Sequence, residues 1–160
     1  MKLKKRDLLR LNNAIAAIEG RSYSRKFGYF IAKTKLEIKD EVLIMQEFKA
    51  PSESFKAYDT KRSELARDHA DRNSDGSPKI QNQEFLITVK MDQFQEALAN
   101  LKEEYKEVIE EREQQIKEFE EILDEETKFD GTKIDLKDIP DDIEPVVIEV
   151  LLSAGLISED

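Results

Sequence analysis

The chain has 160 residues and a net charge of −10, from 26 Lys and Arg against 36 Asp and Glu, with no Cys, no Trp and a single His. At this length one folded domain buries about 70% of the surface that its unfolded chain exposes, so a single domain over residues 1–160 is expected; equal hydrophobic and charged shares of 39% suit amphipathic helices better than a layered α/β core. Zero Cys excludes disulfide frameworks, thiolate metal sites and Cys nucleophiles, and one His excludes every mechanism that needs two.

The charge is divided along the chain. Residues 1–40 carry 11 basic and 4 acidic side chains, residues 41–100 carry 8 and 11, and residues 101–160 carry 7 and 21. The front is therefore basic and the rear acidic. The apolar run Ala14–Ile18 is too short for a membrane span, and Asp7 and Arg10 interrupt any signal-type hydrophobic region. No membrane partner is expected, and the reading is a cytoplasmic protein.

Leu8, Leu11, Ile15 and Ile18 recur at three and four residues, which predicts a first helix over about 7–19 with Asp7 as its cap and Gly20 as its stop. The stripe Phe27, Ile31, Thr34, Ile38, Val42, Met45 and Phe48 predicts a second over about 24–49, ended by Pro51. Phe55, Tyr58, Arg62, Leu65 and His69 predict a third over about 52–71. The segment 71–78, rich in Asn, Asp, Ser, Gly and Pro, is the clearest turn. After it, alternating Phe85, Ile87 and Val89 predict a short β element within 79–89. Asp92, with Gln95 three residues on, reads as a capping box. It would open one long helix over about 92–126, whose seam Phe94, Leu98, Leu101, Tyr105, Val108, Arg112, Ile116, Phe119 and Leu123 is coiled-coil-like. A second β element at about 132–137 and a helix at about 143–153 complete the chain. The fold class expected is mainly α: an elongated antiparallel helical bundle or coiled-coil hairpin with a small β element.

Four clusters are candidates for chemistry. Asp71, Asn73 and Asp75 followed by Gly76 begin like a calcium-binding loop, but Asn82 stands where such a loop needs a bidentate Glu, so a turn is the preferred reading of 71–82. Asp68, His69 and Asp71 form the single His–carboxylate group, short of the two Glu-x-x-His repeats of a di-iron bundle. The Glu-rich helix, including Glu110, Glu111 and Glu113, reads as a solvated face. Arg21, Arg25, Lys26 and Tyr29 mix cations with aromatics as single-strand binders do, yet a charge of −10 repels nucleic acid, so these cations are expected to face the protein's own acidic helix or a partner subunit. The glycines at 20, 28, 76, 131 and 155 form no phosphate-cradling loop, and no cofactor is expected.

Lys26-Phe-Gly-Tyr-Phe-Ile-Ala-Lys33, then Tyr58, Lys61-Arg62 and Leu65, then Asp75-Gly-Ser-Pro-Lys-Ile80 and the Glu-rich helix from Glu103 resemble, in order, small acidic proteins encoded by bacteriophages and prophages. The resemblance spans about Leu8 to Ile139. Thr34 stands where those proteins carry Asn, and the turn reads Asn-Ser-Asp-Gly. No activity is carried over; the resemblance implies a viral accessory or assembly role in the host cytoplasm or the virion. The expected function is non-enzymatic contact with protein, whether self, phage or host, with Arg21, Arg25, Lys26, Tyr29, Glu110, Glu111 and Glu113 as partner-binding candidates. Two alternatives stand beside it. One is an acidic decoy that occupies a nucleic-acid-binding or defence protein; the other is a metal-assisted hydrolase around Asp68, His69 and Asp71.

Overall fold

The computed structural model describes residues 1–158. The chain is mainly helical, at 64%, with six α-helices among the described residues. In order these are β1 (Lys2–Lys4), α1 (Lys5–Ile18), α2 (Arg25–Lys49), α3 (Glu53–His69), β2 (Ile80–Gln81), β3 (Glu84–Phe85), α4 (Met91–Glu104), α5 (Lys106–Asp124), β4 (Glu126–Lys128), β5 (Ile134–Asp135), a 3-10 turn (Leu136–Asp138), α6 (Pro145–Ser153) and β6 (Ile157–Ser158). The chain divides into two compact units. One is discontinuous, Met1–Lys49 with Lys117–Asp160, and the other is Ala50–Ile116.

The discontinuous unit holds the hydrophobic core. Leu11, Ile15, Ile18, Phe27, Ile38, Met45, Leu151 and Leu156 are almost fully buried there, and each such side chain contributes about 1.5–3 kcal/mol relative to exposure. α1 packs against both α2 and α6. β1 pairs antiparallel with β4, with Leu3 opposite Thr127, and β5 pairs parallel with β6, with Ile134 opposite Ile157. α1 starts at Lys5, two residues before the expected Asp7 cap, because the Lys5 N–H donates to the Glu125 carbonyl at 2.9 Å as the chain leaves β1. Asp7 lies instead in the first turn, where its charge still favours the helix dipole. Ser24 caps α2, its Oγ accepting from the Phe27 N–H at 3.2 Å. Gly20, at φ +90°, supplies the left-handed residue that the turn between α1 and α2 needs.

The unit 50–116 is an antiparallel helical hairpin. α3 packs on α4, with His69 against Phe94 at one end (5.9 Å between ring centres) and Tyr58 against Tyr105 at the other (5.6 Å). Ser52 caps α3 through the Phe55 N–H at 3.1 Å, just after Pro51.

Three sequence expectations need correction. The long helix predicted over 92–126 is two helices, interrupted at Tyr105 (φ −106°, ψ 20°), where the ring packs on Tyr58 and lies 4.9 Å beneath the Lys61 ammonium. Asp92 does not cap it; α4 begins at Met91 with no side-chain cap, and Asp92 falls in the first turn. The extended run predicted to Val89 stops at Phe85, because the Asp71 carboxylate takes the N–H groups of Thr88 (3.2 Å) and Val89 (3.1 Å) that a strand would use. Elsewhere the elements are shorter than predicted: 52–71 becomes Glu53–His69, 143–153 becomes Pro145–Ser153, and 132–137 becomes a two-residue strand running into a 3-10 turn.

Two core substitutions have opposite expected effects. Thr34 is fully buried in α2 and its Oγ1 has no hydrogen-bond partner, so Thr34→Val should raise unfolding stability by about 1 kcal/mol. A Cβ at Gly131 would lie 2.4 Å from Leu156 Cδ2 and 2.5 Å from Phe129 Cε1, both buried side chains; Gly131→Ala should therefore cost about 1–3 kcal/mol. Urea unfolding of the two variants checks both signs.

Candidate functional site

In the unit 50–116 burial is thin. Its buried apolar residues are Tyr58, Ala70 and Ile87, and α4 buries none of its side chains fully. What α3 and α4 leave uncovered is a cleft of about 720 Å³. Ala66 and Arg62 line it from α3, Phe85, Leu86 and Ile87 from the β2–β3 segment, and Met91, Phe94 and Leu98 from α4. The α4 contributors follow from helical spacing, since residues three and four apart share a face.

Backbone geometry brings the β2–β3 segment into the wall. The Asp71 N–H donates to the Leu86 carbonyl at 2.8 Å, the Lys79 N–H to the Asp71 carbonyl at 2.7 Å, and the Leu86 N–H to the Lys79 carbonyl at 2.9 Å. Asn82 (φ 52°) and Gln83 (φ 68°) then form the two-residue turn between β2 and β3, and two successive positive φ values match the twist of a tight hairpin. Asp71 ties the far end. Its carboxylate accepts from the Thr88 hydroxyl and from the Thr88 and Val89 N–H groups, and these bonds, the hydroxyl first, hold its pKa below the ordinary aspartate range.

This geometry disperses the chemical clusters read from sequence. Asp71 faces residues 88–89, whereas Asp75 accepts from the Ser77 N–H (2.9 Å) and hydroxyl (2.6 Å), and Asn73 donates to the Ser77 Oγ at 3.0 Å. Asn82, at the place of the calcium loop's Glu, is a hairpin-turn residue. His69 directs Nδ1 to the Leu65 carbonyl at 2.8 Å, and Asp68 lies 3.8 Å from Arg67, so Asp68, His69 and Asp71 do not converge. Among the described residues no group of three or more His, Asp or Glu side chains is arranged to hold a metal. No described helix is long and apolar enough to cross a membrane.

The cations of the basic front meet carboxylates of their own chain. In the discontinuous unit Arg21 pairs with Glu144, and Lys26 pairs with Asp138 and, at 3.5 Å, with Asp135. Lys4 and Arg6 reach Asp124 at 3.2 and 3.0 Å, and Lys5 lies between Glu41 (3.2 Å) and Glu125 (2.9 Å). The hydrogen bond to Glu125 chiefly raises the Lys5 pKa above the usual lysine value. Asp124 is the last residue of the Glu-rich helix α5 and Glu41 lies on α2, whereas Glu125, Asp135, Asp138 and Glu144 follow that helix. Glu110, Glu111 and Glu113 are exposed on α5, while Arg25 and Tyr29 are exposed on α2.

Sequence spacing assigns Phe94 and Leu98 to a coiled-coil seam and Phe85 and Ile87 to a strand, and gives Met91 no role, so the cleft has no signature of its own; its one signal is the pairing of that seam with a third helix of low apolar content. Comparison with protein-family models, curated proteins and solved structures finds no match to the chain.

Because its carboxylate pKa is lowered on folding, Asp71 contributes stability above the ordinary aspartate range and loses it as pH falls through the lowered value. Asp71→Ala should therefore speed amide exchange at Thr88 and Val89 several-fold at neutral pH. Wild-type protein should approach the variant only in strong acid, a comparison that NMR exchange rates make directly.

Proposed function

We propose that the chain is a non-enzymatic protein that acts by protein–protein contact, in the accessory or assembly class that the resemblance to small acidic phage proteins implies. The observation that carries this reading is the cleft of residues 50–116, whose lining mixes polar and apolar side chains and in which Met91 is exposed and Phe85, Leu86, Phe94 and Leu98 are half-buried. An apolar groove between helices takes a segment that presents apolar anchors on one side. Its charge favours a basic one: residues 50–116 hold 15 acidic and 10 basic side chains, and Glu84, Asp92 and Glu96 are exposed on the elements that form the walls. The occupant proposed is a segment of another protein with apolar anchors and Lys or Arg flanks.

A second reading, the acidic decoy, has an observation of its own. Glu110, Glu111 and Glu113 stay exposed while Lys4, Arg21 and Lys26 of the basic front pair with carboxylates at 124–144, which leaves a row of carboxylates for a basic groove. The two readings differ in what drives binding. Cleft binding is mainly apolar, whereas decoy binding is Coulombic and fades as salt shortens the screening length.

A displayed library of random peptides, selected against the full chain, separates them. The cleft reading expects apolar–basic binders whose affinity falls at least about tenfold in Met91→Glu, a variant at a half-exposed position that the fold tolerates. The decoy reading expects binders that lose affinity with salt and with charge reversal at Glu110, Glu111 and Glu113 and that ignore Met91→Glu. Selection of no binder sensitive to Met91→Glu would sink the cleft reading.

A further inference from the structure

Helix α2 is apolar on two opposite faces. One carries Phe27, Ile31, Thr34, Ile38, Val42 and Met45 into the core. The other carries Tyr29, Leu36 and Leu43 at seven-residue spacing, with Ile44 beside them, and leaves them 66%, 71%, 48% and 59% exposed respectively. A helix needs one apolar stripe to join its own core; a second, opposite stripe is a surface for another molecule.

The charges along this outer face identify the molecule. Lys26, Lys33 and Lys35 are each turned to a carboxylate of the same chain, Asp138, Glu37 and Glu19. Arg25 at the start of the helix and Lys39, Asp40 and Glu47 in its second half are exposed and lack an ion-pair partner among the described residues. The face is thus positive at its beginning and negative towards its end, with apolar residues between. Such a surface is complementary to itself reversed.

We propose that the outer face of α2 is a two-fold interface with a second copy of this chain, the two helices antiparallel about an axis at Leu36. One register pairs the apolar residues with one another and the terminal charges with their opposites. With Leu36 on the axis, Tyr29 of each copy meets Leu43 of the other, Ala32 meets Asp40, and Arg25 meets Glu47. Lys33 then faces Lys39, a like-charge approach that Glu37, 4.0 Å from Lys33, offsets. A parallel pairing would set Arg25 against Arg25 and Glu47 against Glu47, so the charges select the antiparallel sense. The interface is isologous, the commonest form of a symmetric dimer. It lies in the discontinuous unit and is independent of the cleft reading. It also divides the four basic-front candidates by role: Arg21 and Lys26 hold the fold, whereas Arg25 and Tyr29 face the second copy.

Sedimentation equilibrium of the full chain tests the interface, and circular dichroism checks that each variant stays helical. Wild-type protein should dimerise in about the micromolar range, and Leu36→Glu should be monomeric. Arg25→Glu and Glu47→Arg should each weaken the dimer about tenfold, since each places two like-charge pairs in it. An equal mixture of these two variants should recover wild-type affinity, because both contacts then pair Glu with Arg. The chain has no Cys, so oxidation of mixed Tyr29→Cys and Leu43→Cys variants should give the heterodisulfide and neither homodisulfide. Wild-type protein still monomeric at about 100 μM, a mixture no tighter than its components, or a Tyr29→Cys homodisulfide would each overturn the proposal.

Discussion

Antiparallel pairing of Lys2–Lys4 with Glu126–Lys128 is the constraint on which the larger unit depends. Three residue pairs are too few to be stable alone. They persist because Leu3 and Phe129 enter the core beside them and because the pairing hands the chain directly into α1 through the Lys5–Glu125 hydrogen bond. The same closure sets Lys2, Lys4, Lys5 and Arg6 beside Asp124, Glu125 and Glu126. Charge of one sign at the front of the sequence is thus met by charge of the other sign near its rear. These contacts are exposed and individually weak, so they steer the register of closure more than they stabilise it.

Helices were legible because their apolar spacing is long and regular. Leu8, Leu11, Ile15 and Ile18 announce the buried face of α1, and Phe27 to Met45 that of α2, without reference to any partner. What was not legible depends on residues far apart in the chain. The strand Lys2–Lys4, Lys-Leu-Lys, is too short for its alternation to be a signal and exists by virtue of residues 126–128. The break at Tyr105 arises where a tyrosine stacks on Tyr58, and α-helical periodicity continues unbroken through it. The division into two units is half visible: the first boundary falls beside Pro51, but the second lies inside α5 between Ile116 and Lys117, where composition does not change.

The candidate surfaces show the same limit. Helical spacing placed Phe94 and Leu98 on one face of α4, yet whether that face is covered depends on where Phe85 and Leu86 come to rest, and Asp71 ties that segment down, its N–H on Leu86 and its carboxylate on residues 17 and 18 positions away. The acidic residues of 71–75 looked like ligands because turn-forming and cation-binding loops draw on the same side chains. Asp71 and Asp75 spend their oxygens on N–H and hydroxyl groups, as residues of turns do. The outer stripe of α2 was hidden for a simpler reason. A helix apolar on both faces blurs its own periodicity, so Leu36 and Leu43 vanish behind the stronger stripe and Tyr29 stands out only for its place among cations.

The discontinuity of the larger unit bears on how the protein is made. As the chain leaves the ribosome, α1 and α2 emerge first, but Leu151, Leu156 and Ile157, which complete the core over Leu11, Ile15 and Ile18, come last. Residues 50–116 are contiguous and draw their contacts from near neighbours, so they can order on the ribosome while the earlier segment waits with its apolar side uncovered. The nascent chain therefore passes through a stage in which α1 and α2 have no lid. Over that interval residues 1–40 carry eleven cations against four acids, a net charge that repels like segments until the carboxylates of residues 124–144 are synthesised.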